Sequence, residues 1–279
     1  MVGHVSVPAA AVLAELPTWV ALVRADNPGV MTLDGTNSWV LRADPAKPCL
    51  IVDPGPDDDA HLDALAAHGP VAGILITHGH PDHVEGVDPL VRRLGVPVLS
   101  AHAGDGATAR RLGAAAGLDL ELRPTPGHTA DSVCFVATRE PGAQTVVLTG
   151  DTILGRGTTI VAHPDGHLGD YLRSLEALTG LDGVPALPGH GPALADCAAA
   201  ARFYLAHRYA RLDEVRASVA AGARTPEEVV AVVYRDVPTD LWPAAAWSVR
   251  AQLAYLGQEE RQQADQRESI PPAHQLDPP

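Results

Sequence analysis

Residues 73–83, reading GILITHGHPDH, constrain this chain more than any other stretch. The run 73–77 is apolar without interruption, as expected of a strand buried on both faces. Three imidazoles and a carboxylate follow within six residues: His78, His80, Asp82 and His83. Four such side chains cannot all be packed into a core, because each would need a polar partner there. The segment therefore reads as a loop at the C-terminal end of a strand, ahead of a helix. Open α/β sheets place their ligands at that edge. Imidazole and carboxylate suit Zn²⁺ or a similar divalent ion. His78 and His80, two residues apart, share one face of an extended segment. Asp82 and His83 point elsewhere, so the four ligands divide between two neighbouring metals.

Three later sites add the same kinds of group. His128 sits on the glycine turn Pro126-Gly127-His128-Thr129. Asp151 ends a buried strand in Thr149-Gly150-Asp151-Thr152. His190 sits on the turn Pro188-Gly189-His190-Gly191-Pro192. Each alone is an ordinary turn, and together behind the first motif they reinforce one another.

The rest of the chain fits an α/β sandwich. Strands are predicted at 38–41, 49–52, 73–77, 96–100, 133–137 and 145–148. Helices are predicted at 60–67, 89–94, 108–116 and 168–178. A long helix is expected over 196–221, with further helices at 226–234 and 244–256. The organisation reads as a catalytic domain over 1–200, a helical module over 201–257, and a disordered tail over 258–279 that is polar and rich in Gln and Pro. No internal repeat is visible.

Composition excludes several classes. The chain has 279 residues, with 34 acidic and 20 basic side chains, for a net charge of −14. That argues against broad wrapping of nucleic acid or of an anionic membrane. Residues 1–200 carry 23 acidic against 11 basic groups, whereas 201–257 carry 6 against 7. Cys49, Cys134 and Cys197 are widely spaced and form no CxxC. A disulfide framework is not expected, and a reducing cytoplasm is the default. Residues 1–14 lack a basic segment and do not read as a signal peptide. No run of about 18 apolar residues suggests a membrane span.

The set HxHxDH with His128, Asp151 and His190 resembles the metallo-β-lactamase fold superfamily over roughly residues 20–195. The resemblance implies a four-layer αββα sandwich. It implies one metal on His78, His80 and His128, a second on Asp82, His83 and His190, and Asp151 bridging them. Asp53, in Ile51-Val52-Asp53-Pro54-Gly55, matches a turn that supports the ligand loops without binding metal. The set contains no cysteine, which points to the hydrolytic branch typified by glyoxalase II. Residues 27–38 and 150–159, together with Ala206-His207-Arg208 after the PGHGP turn, resemble the β-lactamase-like-protein-2 type of metallohydrolase. That likeness spans roughly 25–256 and implies a small C-terminal winged-helix-like module. Members of the subgroup include an endoribonuclease acting on single-stranded RNA and thioesterases releasing polyketides from carrier proteins.

The chemistry expected is hydrolysis by a hydroxide shared between two divalent ions, which lower the pKa of water from about 15.7 towards 7. Zn²⁺ is the first choice, with Fe or Mn tolerated. Asp82 is expected to ligate one metal and orient the hydroxide, as the catalytic residue. Thr158 and Thr159 are candidate hydrogen-bond donors to substrate. Arg208, among the arginines 202, 208, 211 and 216 of the long helix, is a candidate for a cationic rim; the alternative is a solvated surface with local ion pairs. The expected substrate is an ester or thioester of a small or carrier-bound acyl group. The alternative is single-stranded RNA, for which stacking residues are scarce at 4% aromatics. No membrane partner is expected. A third reading, an iron-holding redox protein, conflicts with His80 where a glutamate would stand and with the lack of a flavin domain. His4, His61, His68, His102, His163, His167 and His274 read as surface positions, and Asn37 as fixing a turn. Trp242, Trp247 and Tyr255 read as core of the C-terminal module.

Overall fold

In the computed structural model, which describes residues 12, 15–102, 105–139 and 144–268, two sheets stack face to face with helices outside. The first sheet holds β1 (Val20–Arg24), β2 (Asn37–Leu41), β3 (Cys49–Val52), β4 (Val71–Leu75) and β5 (Val98–Leu99), in that order. β1–β2 and β2–β3 pair antiparallel, while β3–β4 and β4–β5 are parallel. The parallel pairs need crossovers, which α1 (Asp59–Ala66) and the short α2 (Pro81–Val84) with α3 (Val87–Leu94) supply. After α4 (Gly106–Ala116) the second sheet runs β6 (Leu118–Pro124), β7 (Val133–Arg139), β8 (Gln144–Gly150) and β9 (Ala186–Pro188). β8–β9 is parallel and α5 (Leu168–Leu178) crosses between them.

Alternation along the strands sets the layers. Leu41, Leu50, Val52 and Leu75 turn towards Phe135, Val146 and Leu148 and form the core between the sheets. Val40, Ile51 and Ile74 face the other way, onto Leu62, Leu65 and Leu90 of α1 and α3. On the far side Cys134, Val136 and Val147 meet Leu172 and Leu175 of α5 and Tyr204 of α6 (Cys197–Ala220). The same cluster continues into α7 (Pro226–Val233) and α8 (Trp242–Glu268). The C-terminal helices thus share one core with the second sheet. Because the central strands β3, β4, β7 and β8 are covered on two faces, they read as apolar runs. The three cysteines are free and buried. Among the described residues no helix is long and apolar enough to cross a membrane.

Several expectations need correction. β1, β6 and β9 have no counterpart among the predicted strands. β6 interleaves Asp119, Glu121 and Arg123 with Leu118, Leu120 and Leu122, so it buries one face only. β9 has three residues, too few for a periodic signal. α8 continues through 258–268 in place of the expected disordered tail, because Gln, Glu, Arg and Ala are strong helix formers that extend an established helix. The remainder of that tail lies outside the described residues, as do His4 and His274. His61 is not at the surface. It is buried, and its Nε2 lies 2.9 Å from Ser38 Oγ, whose hydroxyl donates to the Asp53 carbonyl. Trp247 is 44% exposed and is not core, whereas Trp242 and Tyr255 pack partly buried against the C-terminal helices.

Candidate metal centre

The predicted ligands converge at one end of the two sheets. His78 and His80 occupy the loop after β4, and His80 begins α2, with Asp82 and His83 in its single turn. His128 lies between β6 and β7, Asp151 follows β8, and His190 follows β9. Thr36 forms an isolated β-bridge with His190, which ties the N-terminal loop to the same end.

Two triads form. His78 Nε2 and His128 Nε2 each stand 3.0 Å from His80 Nδ1. His190 Nε2 is 3.1 Å from Asp82 Oδ2 and 3.3 Å from His83 Nε2. Asp151 lies between the triads, 3.6 Å from His83 Nε2, 3.5 Å from His190 Nε2 and 3.8 Å from His128 Nε2. The ligand atoms of His78, His80 and His128, of Asp82, His83 and His190, and of His78, His83 and Asp151 each fall within 4.8 Å of one another. His78, His83, His128 and His190 form a buried back wall, while His80 and Asp82 are partly exposed at the mouth.

The fit to a divalent cation rests on three features. Ring nitrogens converge on ring nitrogens at hydrogen-bond distance within each triad. Asp151 Oδ1 is buried with no hydrogen-bond partner. And Gly189 leaves a space that a side chain would fill: a Cβ there would stand 2.5 Å from Asp151 Oδ1 and 2.6 Å from His83 Cε1. A buried unpartnered carboxylate oxygen beside converging imidazoles is costly unless a cation satisfies it.

The second ring nitrogens are fixed by the protein, as metal ligands require. His128 Nδ1 donates to the Ile160 carbonyl at 2.7 Å, with Thr159 Oγ1 at 3.1 Å. His190 Nδ1 faces the Gly35 carbonyl at 3.3 Å. His83 Nδ1 donates to Asp53 Oδ2 at 2.9 Å, and His78 Nδ1 meets Thr77 Oγ1 at 3.1 Å. Asp53 also accepts from Thr77 N at 2.8 Å and from Thr77 Oγ1 at 2.6 Å. It holds φ at 50°, a left-handed conformation that Asp tolerates better than most residues. Asp53 is therefore a support for the ligand loop. Asn37 staples the PGHGP turn, donating to the carbonyls of Pro188 at 3.0 Å and Gly191 at 2.8 Å. Gly127, at φ 141°, lets the His128 turn press on α5, where a Cβ would meet Tyr171 Cα at 2.3 Å.

The substrate candidates sit beside this centre. Thr159 is buried on His128, and Thr158 precedes it in the loop. Arg208 is 4% exposed and turned inward, donating to the Thr159 carbonyl. Its neighbours on α6 behave differently: Arg202 pairs with Asp182 and Arg216 with Asp213 and Glu259, as a solvated face would. Arg211 lies over Tyr234 and pairs with Glu214. His102, His163 and His167 are exposed, and His68 is half-buried. Sequence reasoning missed the carbonyls of Ile160 and Gly35 and the role of Thr77. The threonine at the head of the HGHPDH run was the one visible signal.

Acidification is expected to release metal in two steps. Burial, followed by repulsion from neighbouring imidazoles, holds His78 well below its ordinary 6.5, and burial also lowers His128 despite Asp151. Burial acts the same way on His83, but Asp53 and Asp151 together outweigh it and raise that imidazole to about 9. Burial lowers His190 too, but its bond to Asp82 and the nearby Asp151 outweigh that effect and raise it. A lowered imidazole pKa keeps the lone pair free further into acid, and a raised one hands it to a proton sooner. The Asp82/His83/His190 triad should therefore lose its metal first as pH falls. Metal content measured against pH checks this; loss of the His78/His80/His128 metal first would refute it.

Comparison with known proteins gives a consistent picture. Residues 31–114 match the Metallo-beta-lactamase superfamily, and residues 225–268 match the Beta-lactamase associated winged helix domain. The Beta-lactamase-like protein 2 homolog of Drosophila melanogaster is 29% identical over 278 residues, covering 88% of this chain and 90% of the fly protein. The homolog of that name in Caenorhabditis elegans is 28% identical over 256 residues, with 85% and 81% covered. Lactamase-like protein vrtG of Penicillium aethiopicum is 28% identical over 275 residues, with 92% and 86% covered. Among solved structures, a metallo-beta-lactamase family protein from Thermus thermophilus superposes with a TM-score of 0.68 at 24% identity, covering 87% of this chain and 94% of that one. A beta-lactamase domain protein from Burkholderia ambifaria gives 0.68 at 20% identity, covering 91% and 90%. These two likenesses speak for the fold.

Proposed function

Since the chain belongs to the metallo-β-lactamase superfamily, with the winged-helix domain associated with it at its C-terminus, we propose that it is a dinuclear metal-dependent hydrolase of acyl esters or thioesters. His78, His80 and His128 would hold one divalent ion, Asp82, His83 and His190 the other, and Asp151 would face both. Zn²⁺ suits this donor set, and Fe or Mn is compatible with it. When bound, such ions supply a water of lowered pKa and Lewis acidity towards a carbonyl oxygen.

The protein's own groups do the rest. Asp82 is turned to the mouth, and we assign it the orienting of the attacking water. Burial would raise its pKa, but the His190 hydrogen bond and the nearby imidazoles outweigh burial and hold it well below the usual carboxylate range. It stays ionised and can only accept a hydrogen bond or a proton. The buried imidazoles behind it exclude bulk water, which strengthens every charge interaction at the mouth.

The observation that carries the substrate class is a cleft of about 350 Å³ beside the centre. Thr159 and Ile160 line it, and Ile160 is the residue whose carbonyl holds His128. Leu33, Leu241, Ala244 and Ala245 make its walls largely apolar. Its two arginines, Arg208 and Arg211, already have partners, so they form no free row of cations for phosphates. An acyl chain suits such walls better than an RNA backbone does.

The test is turnover of metal-analysed protein on a series of acyl-thioesters of increasing chain length, side by side with single-stranded RNA. kcat/KM is expected to rise by a factor of about 4 per methylene until the cleft is full, from about 0.8 kcal/mol per buried CH₂. RNA cleavage exceeding thioester turnover, with a steep salt dependence, would overturn the acyl reading in favour of a ribonuclease.

A further inference from the structure

Helix α6 presents Tyr204 and Arg208, one turn apart, to the loop that leads from Asp151 to Ile160. Tyr204 Oη accepts from Leu154 N at 3.0 Å and lies 3.0 Å from the Gly157 carbonyl. Arg208 Nη2 donates to the Thr159 carbonyl. Its guanidinium lies 5.2 Å from the centre of the Tyr171 ring, and Tyr171 Oη donates to the Thr152 carbonyl at 2.7 Å. Both residues of the loop that meet His128 Nδ1, Thr159 and Ile160, are next to or at this anchor.

Packing alone does not account for Arg208. The side chain is 4% exposed, its Nε has no partner, and among the described residues no carboxylate stands within 4 Å of it. A buried cation of this kind costs desolvation that one carbonyl and the ring and hydroxyl of Tyr171 offset only in part. An unbranched apolar side chain would fill the same space without that cost. What the guanidinium adds is a directional hold on the Thr159 carbonyl.

We propose that Arg208 is a positioning residue for the first metal triad: by pinning Thr159 it fixes the Ile160 carbonyl, which sets the tautomer and aim of His128. The inference rests on the reading of His78, His80 and His128 as one metal site. It also gives helix α6 a side-chain link to His128 through Arg208, whereas the ring nitrogens of His83 and His190 are held by Asp53 and the Gly35 carbonyl.

The test is competition for Zn²⁺ against a chromophoric chelator, with Co²⁺ absorption as a second readout, on the full chain and its Arg208→Met, Arg208→Lys and Thr159→Val variants. Arg208→Met should weaken one of two metal classes by about 10- to 100-fold and leave the other unchanged. Its urea midpoint should equal or exceed that of the parent. Arg208→Lys, which keeps one donor, should recover part of the loss, and Thr159→Val, which removes only the hydroxyl, should lose less than Arg208→Met. Equal weakening of both classes, or weakening that tracks a drop in stability across all three variants, would make Arg208 a structural residue and overturn the proposal. A parent that binds two metals with an unchanged Arg208→Met overturns the proposal alone, whereas a parent that takes up no metal overturns the metal-site reading with it.

Discussion

Asp151→Ala is expected to abolish hydrolysis, by on the order of 10³-fold or more, and to weaken binding in both metal classes at once. Among the described residues, Asp151 is the one carboxylate within 4 Å of ring nitrogens from both triads, His128 on one side and His83 and His190 on the other. Its Oδ1 is buried without a partner, so a bound cation would meet that oxygen and would lose it in the variant. Lewis-acid stabilisation is worth several kcal/mol, and about 1.4 kcal/mol is tenfold in rate. The imidazoles stand 3.5–3.8 Å from the Asp151 oxygens, beyond a strong hydrogen bond, so the variant should keep its fold and its native circular dichroism. Metal analysis by mass spectrometry together with thioester turnover checks both halves. Retention of two metals and of more than a tenth of the activity would show that Asp151 is not shared between the triads. Gly189→Ala approaches the same point sterically, since its Cβ would enter the space between Asp151 and His83.

Asp53→Ala is expected to cost about 3–5 kcal/mol of stability, the usual penalty for breaking a buried charged pair by removing one partner. Asp53 is 2% exposed and accepts from Thr77 N, Thr77 Oγ1 and His83 Nδ1. Losing it strands three donors in an interior that offers them no water. Alanine also tolerates φ of 50° poorly, so part of the loss is conformational. Asp53→Gly separates the two: it relieves φ but still lacks the carboxylate, and it should lose nearly as much. The measurement is the urea midpoint at constant m-value on metal-free protein. A shift below about 1 kcal/mol in both variants would mean that the ligand loop holds itself without Asp53.

The sign of the pH dependence in the metal-free protein follows from the same pair. The His83 pKa is raised to about 9 from 6.5. A raised folded-state value contributes stability that is complete below about 6.5 and is lost as pH climbs through about 9. Asp53→Ala should flatten that part of the profile, because its principal charge partner is gone.

Much of this site is legible in the sequence, for a local reason. Every ligand stands on a turn or a single helical turn directly after, or between, strands, and those segments carry short signals: HGHPDH, PGH, TGD and PGHGP. Strands buried on both faces announce themselves as apolar runs, so the limits predicted for β3, β7 and β8 are close to those observed. Where the signal depends on the surroundings, it fails. β6 mixes charge and leucine and reads as neither strand nor loop. His61 reads as a surface histidine on a helix, yet that helix turns it onto Ser38 behind Asp53. Arg208 reads as one of several arginines on a solvated helix, and Arg202 and Arg216 on that helix do carry ordinary surface pairs.

What the sequence alone determined was the chemical inventory: seven groups able to bind a hard-to-borderline cation, an acidic support at residue 53, and an α/β scaffold whose strand ends would present them. Side-chain type and local turn geometry suffice for that. Tertiary structure decided the partnerships. His128 joins His80 across 48 residues, His190 joins His83 across 107, and Asn37 reaches Pro188 across 151. Such separations leave no periodic trace, because they are set by how two twisted sheets stack and where a long helix crosses the outer face. The same stacking turned the Arg208 guanidinium into the protein and left an apolar cleft beside the loop that holds His128.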